Sequence, residues 1–153
     1  MQIDDELAAY LQPGPFSCIV ASADPELRPE TVRGWGLRMH GDRSAIDIFV
    51  GREPSRRLRD NLSKNNAMAL AIANVTTYQT VQLKGKCVAI GEPSVADLLR
   101  VHAHGEGFVR GVQLVGVSEH AARGSLVADV VKLILDPEAL FDQTPGPEAG
   151  VQR

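Results

Sequence analysis

The residues best equipped for chemistry in this chain lie between positions 46 and 66. There the apolar run Ile46–Val50 reaches Gly51 and continues as REPSRRLRDNLSKNN. Arg52, Arg56 and Arg57 crowd, with Ser55, around the start of a helix. A helix start leaves backbone N–H groups unpaired and carries the positive end of the helix dipole, so it attracts an anion before any side chain contributes. Guanidinium groups add planar, permanently charged forks that match phosphate oxygens. This spacing predicts a grip on the phosphate of a phosphorylated ligand. Arg56, Arg57 and Arg59 would also suit a solvated helix face paired with Asp60. Position favours the anion site, because cations are unfavourable at that helix end unless an anion answers them.

Three other groups of residues invite a chemical reading. Trp35 stands between Gly34 and Gly36 in TVRGWGLRM, with Arg33 and Arg38 beside it. It fits either core filling or a backbone lying against a flat ring. The stretch Thr76–Gln82 places Gln79, Thr80 and Gln82 at the opening of a strand. There they either face water or hydrogen-bond the rim of a heterocycle. His102 and His104 fall two residues apart, which turns them to different faces of a helix, and a metal site wants three or four convergent ligands, so no metal site is expected. GxSxG, HExxH, GxxxxGK[ST] and GxGxxG are all missing, so hydrolase, P-loop and Rossmann readings have no support. No acid, base or nucleophile stands out.

These groups must be positioned by a recognisable series of elements. A short helix over Asp4–Gln12 ends at Pro13-Gly14-Pro15. Strands follow at Phe16–Ala23, Thr31–Met39 and Ser44–Val50, with turns at DPELRP and HGDR. A helix over Pro54–Lys64 puts Leu58 and Leu62 on one inner face. Strands at Ala67–Asn74 and Tyr78–Glu92 come next, the latter broken at Gly85. Ser94, with Asp97 three residues on, caps a helix running to about Gly105. The stretch Phe108–Val117 is ambiguous, a last strand is expected at Leu126–Leu135, and residues 137–153 read as an extended tail. Hairpin-linked strands with inserted helices and no regular βαβ alternation indicate a mainly β, α+β barrel in a single domain over residues 1–153.

The totals agree with that class. The chain has 153 residues, 16 basic and 19 acidic, for a net charge of −3 with neutral histidine. A weakly acidic total argues against nucleic acid as a main partner, while leaving room for a local arginine pocket. No signal pattern opens the chain and no apolar run reaches transmembrane length, so no membrane partner and a cytoplasmic location are expected. Cys18 and Cys87 lie in apolar strand-like runs and read as buried thiols.

In their order and spacing these features resemble the pyridoxamine 5′-phosphate oxidase-like, FMN-binding split-barrel family over about Leu7 to Pro137. The segments that carry the resemblance are DPELRPE, TVRGWGLRM, IDIFVGREPSRRLRDNLSKNN, AMALAIAN and YQTVQLKGKCVAIGEP. The resemblance implies a split β-barrel homodimer with FMN at the dimer interface. Val50 and Gly51 match the strand end beside the flavin, with Arg52 following. Ser55, Arg56 and Arg57 match a Ser-Arg-Lys phosphate motif in which arginine replaces lysine. Arg33 lies near the basic position of the second strand, and Thr80 and Gln82, with Gln79 close by, match polar positions that approach the ring. The family's true oxidase ends with a tryptophan and an Arg-Leu-x-Pro segment. This chain ends FDQTPGPEAGVQR, and Trp35 is its only tryptophan, so pyridoxamine phosphate is not the expected substrate. The expected activity is an FMN-dependent oxidoreductase acting on a small molecule, with the deazaflavin F420 or haem as the alternative cofactor. The other outcome is a flavin- or haem-binding protein without turnover.

Overall fold

The computed structural model describes every residue from Met1 to Arg153. α1 (Asp5–Tyr10) begins where the Asp4 carboxylate accepts the Leu7 N–H at 2.8 Å. Then come β1 (Phe16–Ala23), β2 (Pro29–Met39) and β3 (Ile46–Gly51), α2 (Arg56–Asn65), and β4 (Ala67–Asn74) with β5 (Thr80–Gly91). α3 (Val95–Leu114), α4 (Glu119–Arg123) and β6 (Val130–Asp142) complete the chain.

The six strands close into an antiparallel barrel in the order β1-β2-β3-β6-β5-β4. Period-two alternation makes this possible. Cys18, Val20, Ile48, Leu70, Ile72, Leu83, Leu133 and Leu135 point inward and are fully buried. Ser17, Ile19, Ala21, Ala71 and Ala73 point outward and are half-exposed. Ile3, Leu7 and Leu11, from the N-terminal segment and α1, close one end of the barrel, and Leu58 and Leu62 of α2 close the other. The expected inner face of that helix is therefore the one that packs. α2 ends at Asn66, which takes the left-handed conformation at φ +50°.

β2 is kinked at Gly36, where φ is +67° and the register with β3 shifts between Trp35 and Arg38. An L-residue is strained there, which accounts for the glycine. Beyond this bulge α3 lies across the outside of β2 and β3. Val101, Phe108, Val109 and Val112 cover Trp35 and Phe49 in a second apolar cluster.

Three departures from the sequence-based expectation exceed a residue or two at an element's end. α3 runs through Phe108 to Leu114 rather than ending near Gly105. Its three glycines lower helix propensity, but two of them are contact points. A Cβ at Gly105 would meet Leu126 at 3.1 Å, and one at Gly111 would meet Pro15 at 2.5 Å. The last strand begins at Val130 and extends past Pro137 to Asp142. Pro137 pairs with Gly85 at a register shift, which accommodates a residue with no N–H to donate. Finally, α4 forms behind its cap Ser118 in a stretch with no expected helix.

Candidate functional site

The helix start that opens α2 has the features of an anion site. Ser55 N–H donates to Gly51 O, Arg56 N–H to Glu53 O and Arg59 N–H to Ser55 O, which leaves the Arg57 and Leu58 amides without a backbone acceptor. The first turn contains no acidic residue and Ser55 makes no side-chain cap. Instead the buried Ser55 hydroxyl accepts from Arg59 Nε at 3.0 Å, and Arg59 Nη2 donates to Arg52 O at 2.8 Å. Arg59 thus braces the turn from within. Arg56 and Arg57 project outward, paired only with the surface carboxylates of Glu53 and Glu30. Exposed pairs of this kind contribute little to stability and are readily exchanged for a stronger anion. Arg52 is committed elsewhere: hydrogen bonds to Glu92 and then to Asp129 bind its proton more tightly than usual.

The other candidates do not cluster at this turn. Val50 is fully buried with its side chain inside the barrel, and Gly51 is buried beside it, so each could offer a ligand only its backbone. Gln79 is exposed, and its carbonyl accepts from the Tyr10 hydroxyl at 2.8 Å. The Thr80 amide donates to the Thr144 hydroxyl at 3.0 Å, and Gln82 Oε1 accepts from Gln143 at 3.3 Å. Thr80 is at the barrel end closed by α1, whereas Cys87, seven residues on, bonds to Asn66 at the α2 end. Extended strand spans roughly 23 Å over that interval. Within one chain, therefore, Gln79 and Thr80 are a barrel length away from Arg56 and Arg57.

Barrel closure does join Arg33 to Gln82. The register runs Arg33 to Ile19, Ile19 to Ala71 and Ala71 to Gln82, one row across three strand spacings, about 14 Å. Between these polar ends lie Ile19 and Ala71, both half-exposed on the outer surface of the barrel. Arg33 is held by Ser17 Oγ at 2.7 Å and by the face of Phe108, 5.0 Å from its centroid.

Trp35 is core filling. It is buried edge-on to Phe108 and His104, with its indole N–H unpartnered. The space beside its flanking glycines is taken by protein: a Cβ at Gly34 would meet Ile48 and Val20, and one at Gly36 would meet Val101 and Phe49. The second strand's backbone is therefore not open to a ring at these positions. His104 has both ring nitrogens engaged, Nδ1 accepting from Gly36 N–H at 2.8 Å and Nε2 donating to Phe16 O at 2.9 Å. Burial pulls its pKa below the ordinary histidine value, so the ring is neutral and has no nitrogen left for a ligand. His102 is exposed on the same helix.

Two further features were not read from the sequence. Asp47, fully buried on β3, accepts from Arg38 Nε at 2.9 Å, lies 2.7 Å from His40 Nε2, and pairs with Lys132 at 3.1 Å. Lys132 also lies 3.5 Å from Asp97. Burial pushes the Asp47 carboxyl upward, but the bonds from His40, Lys132 and Arg38 outweigh it and hold its pKa below the usual range. A lone acid in the apolar strand SAIDIFV was the available signal. The second feature is a cleft of about 950 Å³ between α3, the end of β2 and the loop after α1. Its apolar wall includes Leu11, Phe16, Leu37, Met39, Leu99 and Leu114, and it contains none of the residues expected to hold a cofactor. No helix of the chain is long and apolar enough to cross a membrane.

No protein-family model and no curated protein matches this chain. Solved structures do. An F420 reductase superposes with a TM-score of 0.58 at 18% identity, over 86% of this chain and 93% of its own. HupZ of Group A Streptococcus superposes with a TM-score of 0.55 at 15% identity, over 97% of this chain and 100% of its own. A protein of Clostridium acetobutylicum, related to general stress protein 26 of B. subtilis and described as pyridoxinephosphate oxidase family, gives a TM-score of 0.52 at 14% identity, over 95% and 92%.

Proposed function

We propose that this chain, whose fold is the split barrel of the pyridoxamine 5′-phosphate oxidase-like proteins, is a cytoplasmic FMN-dependent oxidoreductase that works on a small molecule as a homodimer. The observation that carries the reading is the start of α2. Two outward arginines there have only surface partners, and two backbone amides have no backbone acceptor. The donor set fits a phosphate monoester.

In this reading Arg56 and Arg57 take the phosphate, and Arg59 and the buried Ser55 hydroxyl keep the turn in shape. Bound FMN would supply the redox chemistry through its isoalloxazine. The outward Ile19 and Ala71 between Arg33 and Gln82 offer an apolar surface, and Arg33 and Gln82 themselves offer hydrogen-bonding groups at its edges. Thr80 and Gln79 are a barrel length from Arg56, so they would serve the same flavin only across an interface. A second copy packed on the uncovered β1–β4–β5 face would bring its own polar strand opening toward this chain's α2. That requirement is the support for a dimer.

Titration with FMN, followed by flavin absorbance and fluorescence, tests the assignment. Saturable binding is expected, and in the Arg56→Ala/Arg57→Ala variant it weakens about tenfold or more. Binding that the double variant leaves unchanged removes the phosphate assignment. A second reading, F420 in place of FMN, is favoured by the similarity to an F420 reductase. Parallel titration with F420 separates the two, and reduction by NAD(P)H or substrate oxidation in the loaded protein separates an enzyme from a carrier.

A further inference from the structure

The cleft beside α3 is independent of the flavin reading, and its chemistry is unusual for this chain. The molecule carries a net charge of −3. Yet the cleft is lined by Arg38, Arg100 and Arg110 and by no acidic side chain. Arg38 is committed to Asp47. Arg100 and Arg110 are exposed on α3 and form no ion pair, whereas the same helix's Asp97 and Glu106 are both paired. Ten residues of helix put these two arginines about 15 Å apart along the axis. Between them α3 presents Ala103 and Gly107 to the cavity.

Gly107 differs from its neighbours in the helix. Gly105 and Gly111 are contact points against Leu126 and Pro15, but a Cβ on Gly107 would meet nothing within 4 Å. Packing does not account for a glycine there, and in a helix interior it is destabilising relative to alanine. What it does is leave the middle of the cleft open. A concave, mostly apolar space of about 950 Å³ with a few polar groups is of the size that holds a small organic ligand.

We infer that this cleft is a binding site for an amphipathic anion: an elongated apolar body lying along Leu99, Ala103 and Gly107, with its acidic head against Arg100 or Arg110. The neutral His104 at the floor contributes no charge. An acidic head gains from whichever of these cations it meets, since neither is ion-paired within the chain, and a cationic head is repelled.

The test is calorimetric titration of the full chain with dodecanoate and with dodecyltrimethylammonium, both below their micelle concentrations. Saturable one-to-one binding of dodecanoate is expected, at least tenfold tighter than the cation. Arg100→Gln/Arg110→Gln should abolish that preference, and both sites are exposed, so the fold is not at risk. Gly107→Leu should weaken both probes by filling the cleft. Arg56→Ala/Arg57→Ala should leave dodecanoate binding unchanged, and Arg100→Gln/Arg110→Gln should leave FMN binding unchanged, so this site and the flavin site fail separately. Equal affinity for the two probes, dodecanoate binding that survives Gly107→Leu, or loss of dodecanoate binding in the α2 variant would each overturn the assignment.

Discussion

His104 shows how one side chain can be spent on structure while looking like chemistry. In the sequence it stands in HAHGEGF, where an imidazole suggests a ligand. In the fold it links α3 to the β2 bulge and to the first residue of β1. Because its folded pKa lies below the ordinary value, the unfolded chain binds the proton more readily. The native state therefore holds this contribution fully above about pH 6.5 and loses it as pH falls toward the depressed value, by at most about 1.4 kcal/mol per unit. His104→Gln cannot titrate. In urea denaturation at pH 7.5 and 5.5, the parent should lose more stability between the two conditions than this variant does. Equal losses would show that His104 carries no such linkage.

At the scale of elements, Asp47 ties β2, β3, β6 and the start of α3 into one charged network through Arg38, His40 and Lys132, and through Lys132 to Asp97. Removing one member of a buried network leaves the others short of a partner. Arg38 and His40 are about a third exposed and can turn toward water, while Lys132 is only 18% exposed and cannot do so easily. Asp47→Asn should therefore cost about 2–4 kcal/mol, read as a shift in the chemical denaturation midpoint with an unchanged slope. Both Asp47 and Asp97 have lowered pKa values. Their contribution is complete above the ordinary carboxylate pKa and disappears as pH falls below about 4, well separated from the His104 window. A variant as stable as the parent at neutral pH would show the network to be dispensable.

At the scale of the molecule, the uncovered outer face of β1, β4 and β5 is where the proposed cofactor site and the proposed dimer coincide. Ala71 lies at its centre, between Ile19 and Gln82. Ala71→Arg points outward from the barrel and spares the core. Equilibrium sedimentation should find the parent as two chains and this variant as one, with strand circular dichroism retained and FMN affinity reduced in step. A variant that remains dimeric and binds FMN as the parent does would remove this face from both roles.

The sequence by itself determined most of the barrel. Strands β1 and β4 can be read to the residue, because apolar alternation and flanking Pro, Gly and Asn are local signals. The Leu58/Leu62 face of α2 and the Ser94–Asp97 capping box could be read for the same reason. So could the arginine-bearing helix start, since the chemistry of a helix terminus depends on a few adjacent residues. The second half of α3 and the reach of β6 past Pro137 could not. There glycine and proline oppose the element locally, and contacts with Leu126, Pro15 and Gly85, distant in sequence, reverse the balance. Only the tertiary structure decided how the candidate residues relate. Closing β1 against β4 puts Arg33 and Gln82 in one row, while the length of β5 separates Thr80 from Arg56. Adding up neighbours along the chain cannot supply either distance, because both follow from which strands pair and in what register.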